Sequence, residues 1–81
     1  MNVDVRYFAA AREAAGLERE SIALDAGATV DLLRERLLVA HPSLEALGAG
    51  LRIAVGQQFA SADTPLVEGD EVALIPPVSG G

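Results

Sequence analysis

The last six residues of the chain, residues 76–81, form the segment whose residue types most clearly suggest chemistry. They read Pro-Pro-Val-Ser-Gly-Gly. Two consecutive prolines lack backbone N–H donors and favour extended geometry, so they end a sheet and leave a stiff root. The glycines that follow have no side chain, so the tip is thin enough to enter a narrow tunnel. The segment reaches at most about 20 Å, and the group at its tip is the α-carboxylate of Gly81.

Other groups that support catalysis are missing from the sequence. The chain has no cysteine, which excludes a disulfide framework, a thiolate nucleophile and a cysteine-ligated metal site. His41, the single histidine, precedes Pro42 with no acidic residue spaced to assist it, so it is interpreted as a helix-end residue. Asp70 and Glu71 are adjacent and point to opposite faces of a strand, which argues against a catalytic pair. We therefore expect this chain to bind no metal or cofactor and to catalyse nothing alone.

The composition is that of one soluble globular domain. The chain has 81 residues, of which 51% are hydrophobic and 22% charged. Its formal charge of −6 argues against nucleic acid and anionic membranes as partners, because both repel an acidic protein. All of its basic residues are arginine. The sequence has no run of about 20 apolar residues and no signal-peptide pattern, so a cytoplasmic location is expected.

Hydrophobic periodicity predicts two helices. The first is a short alanine-rich helix over Ala9–Ala15, ended by Gly16. The second and longer helix begins after Thr29 as N-cap and ends before Pro42, with room for one more turn within residues 43–50. The apolar residues on the predicted buried side of the longer helix are Val30, Leu33, Leu37 and Ala40.

Alternation of apolar and polar residues predicts the strands. The first two are sequence neighbours and are expected to pair antiparallel. The predicted strands cover residues 3–7, 21–24, 51–55 and Glu71–Ile75, with a turn at Gly56 leading to a short extended piece around Phe59. The expected fold is α+β, a small mixed sheet with one main helix packed across one face. This element order resembles the ubiquitin-like β-grasp, with a β-grasp domain over residues 1–75 and a flexible Gly-Gly tail over residues 76–81.

Two segments resemble a known family. Residues 69–81 read Gly-Asp-Glu-Val-Ala-Leu-Ile-Pro-Pro-Val-Ser-Gly-Gly, and residues 5–13 read Val-Arg-Tyr-Phe-Ala-Ala-Ala-Arg-Glu. Both are similar to the small, sulfur-carrying subunits of molybdopterin synthase in the MoaD/ThiS family of ubiquitin-like proteins. The resemblance covers the whole chain. One departure is Gly56, where many relatives have Asn, and Gly suits a turn equally well.

The resemblance implies a sulfur carrier for molybdenum cofactor biosynthesis. An E1-like adenylating enzyme would use ATP and Mg²⁺ to activate Gly81, and a sulfur donor would then convert it to a thiocarboxylate. The tail would deliver that sulfur to cyclic pyranopterin monophosphate in the active site of the large synthase subunit, within a heterotetramer of two small and two large subunits. The residues expected to enter that active site are Pro76, Pro77, Val78, Ser79 and Gly80.

Strand parity predicts a docking surface for that partner. Phe8 and Ile75 fall on the face opposite the predicted core, and family relatives carry apolar contact residues at these places. Phe59 joins them if it also lies on the outer face, although closing one end of the core is an equal alternative for it. Arg12 is expected to add a polar contact at the rim.

Other functions stay open at this point. The same tail chemistry serves sulfur delivery to thiamine, cysteine or tRNA, although the Pro-Pro pair favours the molybdopterin branch. A ubiquitin-like protein modifier would instead join Gly81 to a partner's lysine. A β-grasp binding module with an inert tail is the remaining alternative.

Overall fold

The computed structural model describes residues 1–77, and the predicted tail residues 78–81 lie outside the described part. Alternating apolar residues form the strands, and the helices begin and end close to the predicted positions. The elements in chain order are β1 (Asn2–Tyr7), α1 (Ala9–Ala15), β2 (Arg19–Ala23), α2 (Val30–Ala40), a 3-10 helix (Pro42–Gly50), β3 (Arg52–Val55), β4 (Gln58–Phe59) and β5 (Glu71–Ile75).

The five strands form one mixed sheet in the order β2-β1-β5-β3-β4. β1 pairs antiparallel with β2, as predicted, and parallel with β5. β3 lies antiparallel between β5 and β4. The last strand therefore sits in the centre of the sheet, and Pro76 and Pro77 continue from the end of this central strand. The predicted α+β class with a mixed sheet is confirmed.

The core lies between the sheet and α2. Strand alternation sends every second side chain inward, and α2 presents residues spaced three and four apart toward them. Burying each large aliphatic side chain contributes roughly 1.5–3 kcal/mol. The residues of these elements that belong to the core cluster are Val3, Val5, Tyr7, Val30, Leu33, Leu37, Ile53, Val72 and Leu74.

Local signals fix the ends of α2. Thr29 is the N-cap, and its hydroxyl accepts a hydrogen bond from the Leu32 N–H at 3.4 Å. His41 is the C-cap, and its N–H donates to the Leu37 carbonyl at 2.8 Å. The interpretation of His41 as a helix-end residue is confirmed.

Two elements depart from the sequence prediction by more than one residue. β2 begins at Arg19 rather than residue 21, because its register with β1 continues until Arg19 lies opposite Arg6. Because this edge strand begins with two charged residues, Arg19 and Glu20, the alternation of apolar residues does not indicate its start. The segment after α2 is a 3-10 helix of nine residues rather than a single turn, and it is kinked at Gly48, where φ is 66°.

The turn after β3 uses a backbone conformation that most residues avoid. Gly56 and Gln57 have φ values of 57° and 71° and join β3 to β4. Positive φ at both central residues is typical of the tight type I′ hairpin, whose twist matches that of the strands. This turn brings β4 antiparallel beside β3, so that Phe59 lies opposite Ala54.

Candidate functional site

A groove crosses the outer face of the sheet, opposite α2. Its floor is formed by Ala54 of β3 and Ala73 of β5, which lie opposite each other in the register. Ala73 also lies opposite Arg6, and Ala54 opposite Phe59, so two methyl groups sit between two long side chains in one row across the sheet. This contrast in side-chain size produces a cavity of about 290 Å³.

The three apolar residues predicted for the docking surface, Phe8, Phe59 and Ile75, all line this groove. Phe8 directly follows β1, and its N–H donates to the Leu74 carbonyl at 3.3 Å, so Phe8 comes beside Ile75. Phe8 is 43% exposed and Phe59 is 55% exposed. Such exposure of two phenylalanines is unusual for side chains with so much apolar surface. Phe59 does not close the core, so that alternative is wrong.

Two arginines pack against the aromatic residues of the groove. The guanidinium carbon of Arg52 lies 3.7 Å from the centre of the Phe59 ring, and that of Arg6 lies 5.5 Å from the centre of the Phe8 ring. Each cation–π contact is worth about 0.5–1 kcal/mol at an exposed site. Arg6 also lies 3.7 Å from the Glu71 carboxylate. The apolar groove therefore has charged groups on its border, an arrangement that suits a protein interface with a polar rim.

Arg12 lies apart from the residues that line the groove. It occupies the last turn of α1, where its guanidinium is 3.6 Å from the Glu18 carboxylate. Its contact with a partner stays a prediction.

The root of the predicted tail leaves the sheet beside β3. β5 ends with Ile75 opposite Arg52, and Pro76 and Pro77 follow it. The ring of Pro77 packs against the backbone of Gly50. The remaining residues of the predicted tail, Val78, Ser79, Gly80 and Gly81, lie outside the described residues. The division into a domain of residues 1–75 and a tail of residues 76–81 stays a prediction.

One polar cluster was missed from the sequence. The Tyr7 hydroxyl donates to the Glu20 carboxylate at 2.5 Å, and Nε2 of His41 lies 2.6 Å from the same oxygen. The rings of Tyr7 and His41 meet edge to face, with centres 5.6 Å apart. Strand pairing and the end of α2 bring the three residues together, so no local spacing could have indicated it.

This cluster shifts the titration of two of its members. Partial burial raises the pKa of the Glu20 carboxyl, but the hydrogen bonds from Tyr7 and His41 outweigh that effect and hold the pKa below its ordinary value. Burial raises the pKa of the Tyr7 phenol far above its ordinary value, and the Glu20 carboxylate raises it further. The cluster links β1, β2 and the end of α2 at a distance from the groove, so it fits a structural role.

Two kinds of site do not occur within residues 1–77. No helix there is long and apolar enough to cross a membrane. No group of three or more histidine, aspartate or glutamate side chains in that range is arranged to hold a metal ion.

The fold is that of a ubiquitin-like β-grasp protein. The crystal structure of small archaeal modifier protein 1 from Haloferax volcanii matches with a TM-score of 0.90 and 30% identity over 100% of both chains. A chain from the complex of subunits 1 and 2 of the molybdopterin-converting factor from Helicobacter pylori matches with a TM-score of 0.71 and 29% identity, again over 100% of both chains.

Sequence comparison defines the family. Residues 5–81 match the ThiS family. The molybdopterin synthase sulfur carrier subunit of Chlamydomonas reinhardtii is 37% identical, over 100% of both chains. The chain therefore belongs to the ThiS family, the ubiquitin-like MoaD/ThiS group, as its terminal motif indicated.

Proposed function

We propose that this protein is the sulfur-carrier subunit of molybdopterin synthase, acting in molybdenum cofactor biosynthesis with Gly81 as the carrier residue. The observation that supports this best is the position of Ile75. Ile75 lines the exposed groove and directly precedes Pro76. The docking surface and the root of the tail are therefore adjacent, so a partner that binds the groove also receives the tail.

The proposed chemistry follows from the properties of a terminal carboxylate. It is ionised at neutral pH and is a poor electrophile, so one oxygen must first become part of a leaving group. An E1-like partner uses ATP and Mg²⁺ to form an acyl-adenylate on Gly81 and releases pyrophosphate. A persulfide sulfur displaces AMP, and a thiol then cleaves the acyl disulfide to leave the thiocarboxylate. We propose that this reaction occurs in the cytoplasm.

The proposed partner at the groove is the large synthase subunit, in an assembly of two small and two large subunits. Phe8, Phe59 and Ile75 supply exposed apolar surface, and aromatic residues in such settings dominate interface energies. The Helicobacter pylori relative was solved together with subunit 2 of its own factor. The tail, from Pro76 to Gly80, then enters the active site of the large subunit, with Arg12 at the rim of the contact.

Intact mass spectrometry tests the carrier chemistry. After co-expression with an activating enzyme and a sulfur source, the chain is expected to gain about 16 Da as sulfur replaces one oxygen. An unchanged mass under conditions that load a known carrier would contradict the proposal.

Deletion of Gly81 tests the carrier residue. The truncated chain is expected to fold normally, because the buried residues of the core lie within residues 3–74, and to lose molybdopterin formation completely. A Gly81→Ala chain keeps the carboxylate but adds a Cβ, so it separates the need for a carboxylate from the need for a slender tip. Molybdopterin formation by the truncated chain would overturn the assignment.

A protein modifier is the second candidate, favoured by the match to small archaeal modifier protein 1. In that function the activated Gly81 forms an amide with a lysine of another protein. Covalent products of higher mass on a denaturing gel, dependent on Gly81, would support the modifier. Loading of Gly81 with sulfur that reaches thiamine, cysteine or tRNA instead of molybdopterin would move the protein to another sulfur pathway.

A further inference from the structure

The start of the tail makes a close contact with the body of the protein. A Cβ added at Gly50 would lie 2.9 Å from Cβ and 3.0 Å from Cγ of Pro77. Apart from Gly50, its two chain neighbours and the backbone of its own helix, the three described heavy atoms nearest to that added carbon all belong to Pro77. Only a residue without a side chain therefore allows the Pro77 ring to rest where it does.

The contact lies where the register between β5 and β3 would continue beyond the last residue of β5. β5 and β3 are antiparallel, with Ile75 opposite Arg52. Two further steps in the same register bring Pro77 opposite Gly50. Proline has no N–H to donate, so ladder hydrogen bonds from Pro76 and Pro77 cannot hold the chain on this path. Packing of the ring on the Gly50 backbone is a contact that joins Pro77 to the body of the protein.

We propose that Gly50 is a positioning residue that sets the direction in which the tail leaves the sheet. This inference rests on the proposed function, in which the tail must present Gly81 to a partner enzyme. The geometry of a reacting group is critical, since a misplacement of about 1 Å can cost as much as 100-fold in rate. A change of direction at Pro77 changes the point from which the four following residues must reach the partner's active site.

When a side chain at residue 50 crowds this contact, the body of the protein is expected to stay in place and the tail to move. Gly50 is followed by Leu51, which is buried and whose carbonyl accepts a hydrogen bond from Arg34 at 2.7 Å. Pro77 is exposed and lies beyond the last strand. A Cβ at residue 50 is therefore expected to push Pro77 aside and leave the fold unchanged.

The test combines Gly50→Ala with Pro77→Gly, singly and together. Pro77→Gly removes the three atoms that the new Cβ would meet, so it is the matched background. Nuclear Overhauser contacts between the Gly50 α-protons and the Pro77 ring are expected in the native chain. In Gly50→Ala, the remaining α-proton is expected to lose its contact with that ring.

In a loading assay, Gly50→Ala is expected to lower the maximal rate of thiocarboxylate formation about tenfold. The carrier concentration at half-maximal rate and the urea midpoint are expected to change little. A merely structural role of Gly50 would instead lower the urea midpoint. In the Pro77→Gly background the same substitution is expected to change the rate less than about twofold.

Three results overturn the inference: no ring contact in the native chain, an unchanged loading rate in Gly50→Ala, or an equal loss in both backgrounds. Failure of the native chain to load at all contradicts the proposed function instead. In that case the nuclear Overhauser contacts still decide whether Gly50 directs the tail.

Discussion

The two faces of the sheet are built from the same strands but carry different side chains. The inner face presents valine, leucine and isoleucine to α2, and these residues are almost fully buried. The outer face presents two alanines in its centre and exposed phenylalanines beside them. Residues one position apart in β5, such as Val72 and Ala73, therefore have separate tasks. Stability therefore depends on the inner face, whereas the outer face carries the proposed partner surface.

Truncation in the core is expected to give the largest effect on stability. Leu33→Ala removes a side chain that is 0% exposed, and the free energy of unfolding is expected to fall by about 3 kcal/mol. Leu32→Ala is the matched control, because Leu32 directly precedes Leu33 in α2 and is 37% exposed. Its loss is expected to be below about 1 kcal/mol. Urea denaturation measures both, and equal losses would contradict the assignment of Leu33 to the core.

A charge in the groove is expected to affect binding rather than folding. Phe8→Asp or Ile75→Asp is expected to weaken binding to the large synthase subunit by about 2 kcal/mol, roughly 30-fold. Val39→Asp is the control, because Val39 is 81% exposed on α2, away from the groove. Isothermal titration calorimetry measures the affinities. Unchanged affinity in both groove variants would remove the groove from the interface.

The Glu20 cluster is expected to give a smaller effect, and it depends on pH. The pKa of Glu20 is lowered in the folded chain, so its contribution is present above its ordinary pKa and is lost as pH falls through the folded value. The pKa of Tyr7 is raised, so its contribution is present below its ordinary pKa and declines above about pH 10.

Urea titrations across pH test the cluster. Glu20→Gln is expected to flatten the acid side of the stability profile, and Glu20→Ala to cost about 1–2 kcal/mol at neutral pH. Glu18→Gln is the control, since Glu18 precedes β2 and faces Arg12 at the surface. The large-subunit affinity of Glu20→Gln is expected to stay unchanged. An altered affinity would show that the cluster and the groove are coupled.

The inner face could be predicted from the sequence because the patterns that indicate it involve residues close together in the chain. Alternation in β1 and β5 indicated which side chains point inward, and Thr29 and Pro42 marked the ends of α2. The same parity placed Phe8 and Ile75 on the outer face. These features depend on neighbouring residues in the chain, so no knowledge of strand pairing was needed.

The remaining features depend on register, which the sequence does not reveal. Arg52 reaches Phe59 because a tight hairpin returns the chain over β3. Glu20 meets His41 because β2 lies at the edge of the sheet near the end of α2. Pro77 meets Gly50 because β5 runs antiparallel to β3. The polar cluster and the contact at the tail root therefore became visible only in three dimensions.

The alanine floor of the groove has a consequence for how such a surface diversifies. Ala54 and Ala73 give the groove its depth, and their side chains are a single methyl group. Each added methylene at either residue would make the groove shallower from below while leaving the leucines and valines around α2 untouched. Ala73 is only partly buried, so a larger side chain there would reshape the proposed partner surface at little cost in stability, whereas Ala54 is 5% exposed and has less room. The scaffold can therefore present a different outer surface while its core stays the same.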